Sequence, residues 1–123
     1  MDVVRVLLVD DQPTFMRALL SVVTATPDFT VVGQAVSGEE CLRLADSVDV
    51  DLVLLDVNLP GMDGVEVARR LRARTVAPAV VLLSTYDRDA GDRFVVESGA
   101  NAYVTKSDLA PELLTRVWAS CSR

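Results

Sequence analysis

Histidine is absent from the sequence, and its absence removes two common kinds of functional site from consideration. Neither acid–base catalysis by histidine nor metal ligation by histidine can take place within the chain. Cysteine is scarce: only Cys41 and Cys121 are present, far apart and without the spacing of a metal site. We therefore expect two free thiols, which are typical of a reducing compartment.

Long hydrophobic runs and an excess of positive charge are also missing. No apolar stretch approaches the roughly 20 residues of a membrane span, and no stretch resembles a signal peptide. The net charge is −6 at pH 7, which disfavours binding to nucleic acid or to anionic membranes. We interpret the four arginines within residues 69–74 as a solvated helix face. The composition favours a cytoplasmic protein that binds a cation or a basic partner.

The hydrophobic content predicts one domain spanning residues 1–123. Half of the residues are hydrophobic, so a chain of this length can bury a substantial core. Helical spacing of apolar residues, such as Phe15, Leu19 and Val23, occurs between runs of strand length. The alternation predicts an α/β fold in which helices cover both faces of a parallel sheet. The predicted strands are residues 3–9, 30–36, 52–55, 79–83 and 102–104.

Three local signals mark the ends of predicted helices. Ser37 is placed to cap the second helix, with Glu40 three residues later. Gly99 follows the fourth helix, and Pro111 suits the first turn of the fifth.

Polar side chains follow four of the five predicted strands. Asp10 and Asp11 follow the first strand, Asp56 ends the third, Ser84 follows the fourth and Lys106 follows the fifth. Because the carboxyl ends of parallel strands meet at one edge of a sheet, we expect these groups to share a pocket.

Three carboxylates in one pocket raise each other's pKa unless a cation lies among them. Oxygen ligands with retained waters suit Mg²⁺. A carboxylate at the end of a buried strand, as Asp56 is, can attack phosphorus and form an acyl phosphate. Mg²⁺ would neutralise the phosphoryl oxygens, while Lys106 and the Ser84 hydroxyl would each bind one of them.

The chain resembles the receiver domain of bacterial response regulators over essentially its whole length. All the landmarks occur in order at family-like separations, and the segment ESGANAYVTK is most similar to the NarL/FixJ subfamily. The motifs are VDDQ with Asp10 and Asp11, LLDVNLPGMDG with Asp56, Pro60 and Gly64, LLST with Ser84, and AYVTK with Tyr103 and Lys106.

The resemblance implies a flavodoxin-like fold, a doubly wound sheet of five parallel strands in the order 2-1-3-4-5. It implies that Asp56 accepts a phosphoryl group from the phosphohistidine of a sensor histidine kinase. Asp10, Asp11 and Asp56 would hold Mg²⁺, with the backbone carbonyl of Asn58 completing the metal site.

The resemblance also implies a switch. Ser84 would turn toward the phosphate, Tyr103 would change rotamer, and the face formed by the fourth helix, fifth strand and fifth helix would be reshaped. Thr85 departs from the family pattern, in which a smaller residue often follows the position of Ser84. We expect the larger Thr85 side chain to narrow access to the phosphoryl pocket.

Two interpretations of the output stay open. NarL-like regulators usually continue into a helix-turn-helix DNA-binding domain, whereas this sequence stops at Arg123. We favour a receiver excised from a longer transcription regulator, controlling a covalently attached effector. The alternative is a stand-alone receiver that acts on a partner protein. Whether phosphorylation drives homodimerisation is also open.

Three rival functions fit the sequence less well. An FMN-binding protein needs a phosphate loop rich in serine, threonine or glycine after the first strand, whereas this loop reads DDQPTF. Hydrolases that form an aspartyl phosphate carry the nucleophile after the first strand, but Asp56 follows the third. A degenerate receiver lacks an acidic residue or the lysine, and none of these residues is missing here.

We expect the protein to be a switch that catalyses only its own phosphorylation and dephosphorylation. We do not expect it to be an enzyme that acts on outside substrates.

Overall fold

Strands and helices alternate in the order that the sequence predicts. The computed structural model describes residues 3–85 and 88–121, so the ends of the predicted domain and residues 86–87 lie outside the described residues. The strands are β1 (Val4–Val9), β2 (Phe29–Ala35), β3 (Leu52–Asp56), β4 (Ala79–Ser84) and β5 (Ala102–Thr105). The helices are α1 (Pro13–Ala25), α2 (Gly38–Ser47), α3 (Gly64–Arg72), α4 (Arg88–Ser98) and α5 (Pro111–Ser120).

The five strands form one parallel sheet in the order β2-β1-β3-β4-β5, which confirms the predicted doubly wound topology. Each strand end lies within one residue of its predicted position. At the centre of the sheet β1 pairs with β3, and Val9 lies opposite Leu55. The chain leaves β1 for the β2 edge and then crosses back to β3. The winding direction therefore switches between β1 and β3, where ligands bind in folds of this kind.

Helices cover both faces of the sheet. On one face Val6 and Leu8 belong to a core that includes residues of α1 and α5. On the other face Leu7 and Val9 belong to a core that includes residues of α2 and α3. All four side chains are fully buried, which explains why β1 is apolar throughout instead of alternating with polar residues.

The predicted helix signals agree with the observed helix ends. Ser37 caps α2 by accepting a hydrogen bond from the Glu40 N–H at 3.2 Å, and Glu40 accepts one from the Val36 N–H at 2.8 Å. Gly99 follows α4 with a φ of +77°, and Pro111 is the first residue of α5. No helix in the described ranges combines the length and hydrophobicity needed to cross a bilayer.

Two details differ from the sequence interpretation. A short 3₁₀ helix, Lys106–Asp108, follows β5 and was not predicted. The arginines of the 69–74 run are only partly a solvated face. Arg72 is half-buried and donates to the carbonyl oxygens of Gly99 at 3.2 Å and Pro78 at 3.0 Å. This arginine therefore ties α3 to the segments that precede β4 and β5.

The β3–α3 loop folds back against the end of β3. The Val57 N–H donates to the Leu83 carbonyl of β4 at 3.0 Å, and the Gly64 N–H donates to the Val57 carbonyl at 2.9 Å. A Cβ atom on Gly64 would lie 2.3 Å from the Asp56 carbonyl oxygen and 2.7 Å from the Val57 Cα. Glycine is therefore required where α3 begins, and its close approach helps to fix the backbone of Asp56.

We expect Gly64→Ala to lower the free energy of unfolding by about 3 kcal/mol, because the added methyl group overlaps with backbone atoms that cannot yield. Urea unfolding measures the loss. Gly33→Ala is the matched control, since its Cβ would lie 3.1 Å from a methyl group of Leu7, which can move. We expect that control to change stability by less than about 1 kcal/mol. Equal losses in both variants would contradict a specific need for glycine at position 64.

Candidate functional site

The carboxyl edge of the sheet brings together the three carboxylates that the sequence singles out. Asp10 follows β1 directly, Asp11 is the next residue and Asp56 ends β3. Each contributes one oxygen to a group in which all the oxygens lie within 4.8 Å of one another. Asp10 and Asp56 are buried, with 0% and 2% exposure, whereas Asp11 is exposed. The cluster therefore has two enclosed carboxylates and one that faces solvent.

The pleat of the strands explains which side chains meet. Side chains two residues apart on a strand point to the same face of the sheet. Asp10, Asp56 and Lys106 are therefore directed toward the α1 and α5 face of the sheet, at its edge. Each lies two residues beyond a residue of the core on that face, namely Leu8, Leu54 and Val104.

Asp56 is held between two hydrogen-bond donors. The Asn58 N–H donates to its Oδ1 at 3.0 Å, and Lys106 Nζ donates to its Oδ2 at 3.3 Å. Burial raises the pKa of Asp56, and the negative charge of Asp10 raises it further. The Asn58 N–H and Lys106 lower the pKa without cancelling the increase. The ionised carboxylate is therefore less stable here than in water, and an added cation would favour it.

Asp10 offers an acceptor atom that the protein does not fully satisfy. Its Oδ1 accepts the Gln12 N–H at 2.8 Å. Its Oδ2 is buried, and no hydrogen-bond partner is found for it among the described residues. Lys106 Nζ lies 2.9 Å from Oδ2 as an ion pair, but is not aligned as a hydrogen bond. The ion pair leaves this oxygen able to accept a further partner, and the all-oxygen donor set of the cluster fits a hard divalent cation.

Lys106, the single lysine of the sequence, supplies the positive charge of the pocket. It opens the 3₁₀ helix after β5, and its side chain is 10% exposed. Its Nζ contacts both Asp10 and Asp56 and lies 4.3 Å from the centroid of the Phe15 ring. The sequence interpretation missed Phe15 as part of the site. Its helical spacing indicates only a core position, which the ring also occupies in part.

The remaining predicted residues lie on or directly after β4 and β5. Ser84 ends β4, is fully buried and pairs in register with Thr105. The Tyr103 hydroxyl donates to the Ser84 carbonyl at 3.4 Å. A Cβ on Gly91 would lie 2.1 Å from the Tyr103 ring, so the ring packs closely on α4. Thr85 is exposed directly after β4. Tyr103 therefore connects the end of β4 with α4.

Comparison with known proteins gives one family and many similar structures. A family model described as the response regulator receiver domain matches residues 6–118. The signal receiver domain of a NarL response regulator from Mycobacterium tuberculosis is 30% identical, with a TM-score of 0.88 over 100% of both chains. A two-component response regulator of the LuxR family from Aurantimonas sp. SI85-9A1 is 30% identical, with a TM-score of 0.85 over 96% of this chain and 84% of that one.

Curated relatives include transcription regulators. The nitrate/nitrite response regulator protein NarL of Escherichia coli strain K12 is 37% identical over 90% of this chain and 51% of its own length. The transcriptional regulatory protein LiaR of Bacillus subtilis strain 168 is 32% identical over 95% of this chain and 56% of its own length. The chain thus spans about half the length of these relatives.

The raised pKa of Asp56 predicts a pH-dependent effect of Asp56→Asn. A carboxyl group whose pKa is higher in the folded state stabilises the fold below its unfolded pKa and loses this contribution as the pH rises through the folded value. We therefore expect Asp56→Asn to raise the free energy of unfolding of the metal-free protein at pH 7. The gain should shrink as the pH falls toward the ordinary pKa of aspartate.

Urea unfolding at a series of pH values measures this difference. Asp49→Asn is the control, because Asp49 is 88% exposed and pairs only at the surface with Arg5. We expect that variant to change stability by less than about 1 kcal/mol at any of these pH values. A metal-free Asp56→Asn protein no more stable than wild type at pH 7 would contradict the cost assigned to the Asp56 anion.

Proposed function

Because the chain belongs to the response regulator receiver domain family, as its sequence motifs predict, we propose that Asp56 is its phosphorylation site and that a sensor histidine kinase supplies the phosphoryl group. The observation that carries the proposal is the position of Asp56. This carboxylate ends a central strand, lies 3.3 Å from Lys106 and shares a cluster with Asp10 and Asp11.

We propose that Asp10, Asp11 and Asp56 hold Mg²⁺, and that the Asn58 backbone carbonyl completes the protein ligands. The clustering of the three carboxylates and the exposure of Asp11 support this assignment, because Mg²⁺ takes a few carboxylates and retains waters. When bound, Mg²⁺ neutralises negative charge on the carboxylates and on the oxygens of the transferring phosphoryl group.

Each side chain of the pocket has a separate role in phosphoryl transfer. One oxygen of Asp56 forms a bond to phosphorus while the phosphorus–nitrogen bond of the phosphohistidine breaks and the imidazole leaves, giving an acyl phosphate. Lys106, which already contacts Asp56, binds a phosphoryl oxygen as a point charge. The Ser84 hydroxyl donates to another phosphoryl oxygen. Thr85, exposed beside Ser84, narrows access to the acyl phosphate.

The output is a change at the face formed by α4, β5 and α5. In this structure the face carries a groove of about 650 Å³, whose lining includes Tyr103, Val96 and Val117. Tyr103 contacts the Ser84 carbonyl, so a movement of Ser84 toward the phosphate is transmitted to its ring. A new rotamer of Tyr103 then reshapes the groove.

The effector that we propose is a covalently attached helix-turn-helix transcription domain. The relatives named as regulators are about twice as long as this chain, which supports such an arrangement. The alternative is a stand-alone receiver acting through a partner protein or through homodimerisation. Either protein would be cytoplasmic, with no nucleic-acid or membrane contact by this domain. It would catalyse only its own phosphorylation and dephosphorylation. The coding sequence that follows Arg123 distinguishes the two arrangements.

Asp56→Asn should abolish labelling of the protein by radioactive acetyl phosphate in the presence of Mg²⁺. The amide cannot attack phosphorus as a carboxylate does. Asp49→Asn, at the far end of the sheet, should be labelled at the wild-type rate. Phosphate recovered on any residue other than Asp56 in the wild-type protein would overturn the assignment.

Asp11→Asn should weaken Mg²⁺ binding by at least about tenfold, because one of three anionic ligands is lost. Isothermal titration calorimetry of the unphosphorylated protein measures this affinity directly. Asp49→Asn should bind Mg²⁺ as the wild type does. An unchanged affinity in Asp11→Asn would remove this residue from the metal site.

A further inference from the structure

We infer that Phe15 is a positioning residue for Lys106, and that a cation–π contact holds the ammonium beside Asp56 when a divalent cation competes for the carboxylates. The inference rests on the proposed function, since it assigns a role to a side chain that contacts Lys106, the lysine beside the proposed phosphorylation site. It adds an uncharged aromatic residue to a pocket otherwise described by its charges.

The contact itself is well defined. Lys106 Nζ lies 4.3 Å from the Phe15 ring centroid, 2.9 Å from Asp10 Oδ2 and 3.3 Å from Asp56 Oδ2. A cation within about 6 Å of a ring centroid and over its face is attracted by the ring quadrupole. Because the lysine side chain is only 10% exposed, water competes weakly for the ammonium, and the attraction is stronger than on a surface.

The position of the ring is fixed by the same loop that carries the carboxylates. The Gln12 N–H binds the Asp10 carboxylate, and the Gln12 carbonyl accepts the Met16 N–H at 2.9 Å at the start of α1. Phe15 lies in this first helical turn, half-buried against the α1 and α5 core. Asp10 and the ring are therefore held in a fixed relation, with Lys106 in contact with both.

The Phe15 ring matters because Lys106 and a divalent cation would compete for the same carboxylate oxygens. The Oδ2 atoms of Asp10 and Asp56 already bind the ammonium, and both carboxylates belong to the cluster that fits a cation. A divalent cation would take carboxylate oxygens from Lys106 and repel its charge. The ring face attracts an ammonium but offers no oxygen to Mg²⁺, which prefers oxygen ligands. Phe15 therefore retains the lysine in the pocket without competing for the metal.

The direct test measures the NMR chemical shifts of the Lys106 side chain in the metal-free protein. Since Lys106 is the single lysine, labelling with ¹³C-lysine gives one set of side-chain signals. The protons on its Cε should be shifted upfield by the ring current of Phe15. Phe15→Leu should remove this shift. Phe29→Leu should keep it, because Phe29 is also half-buried on the same core but packs against Trp118. A wild-type signal without the shift would overturn the inference.

The functional test separates the electrostatic attraction of the ring face from the shape of the ring. We expect Phe15→Leu to lower the rate of labelling by acetyl phosphate at saturating Mg²⁺ about 3- to 10-fold, within the range of a partly desolvated cation–π contact. A ring-trifluorinated phenylalanine at position 15 keeps the shape but weakens the negative face, so it should cause a similar loss. Phe15→Tyr should restore the rate, and Phe29→Leu should leave it unchanged.

A double-mutant comparison completes the test. In a Lys106→Met background, Phe15→Leu should have no further effect on the rate of labelling, because no ammonium is left to hold. An undiminished effect of Phe15→Leu in that background would overturn the inference. A fluorinated protein that is labelled at the wild-type rate, while Phe15→Leu is labelled more slowly, would also overturn it. Failure of the wild type to be labelled would instead count against the proposed function, while the lysine spectrum would still report on the contact.

Discussion

The pairing of one ammonium with two buried carboxylates is the interaction on which the pocket depends. Asp10 and Asp56 come from the central strands β1 and β3, and their charges repel each other in a region from which water is largely excluded. Lys106, directly after the edge strand β5, offsets part of this repulsion. The parallel sheet, covered on both faces by helices that pack apolar side chains against it, keeps groups from distant parts of the sequence within contact distance.

This arrangement leaves the pocket incompletely neutralised. One oxygen of Asp10 has no hydrogen bond within the described part of the chain, and the pKa of Asp56 is raised. Such groups lower stability in the absence of a further cation, and the cost is offset by the fully buried leucines and valines of the two cores. The proposed cation site and the source of instability are therefore the same group of carboxylates.

The sequence predicted the fold and most of the site because both follow from short-range patterns. Apolar runs gave the strands to within one residue, and the parallel arrangement placed Asp10, Asp56 and Lys106 at one edge. The contact between Phe15 and Lys106 was not predictable, since a helical spacing cannot distinguish a core phenylalanine from one that also borders a charge. The bonds of Arg72 to backbone carbonyls were missed for a similar reason: its distant partners leave no local signal.

The placement of Lys106 has a practical result for handling the protein. Within this sequence the remaining basic side chains are arginines, so the enclosed ammonium of Lys106 is the one side-chain target for amine-directed reagents. Cleavage by a lysine-specific protease requires the pocket to open, and the rate of that cut reports how often it does.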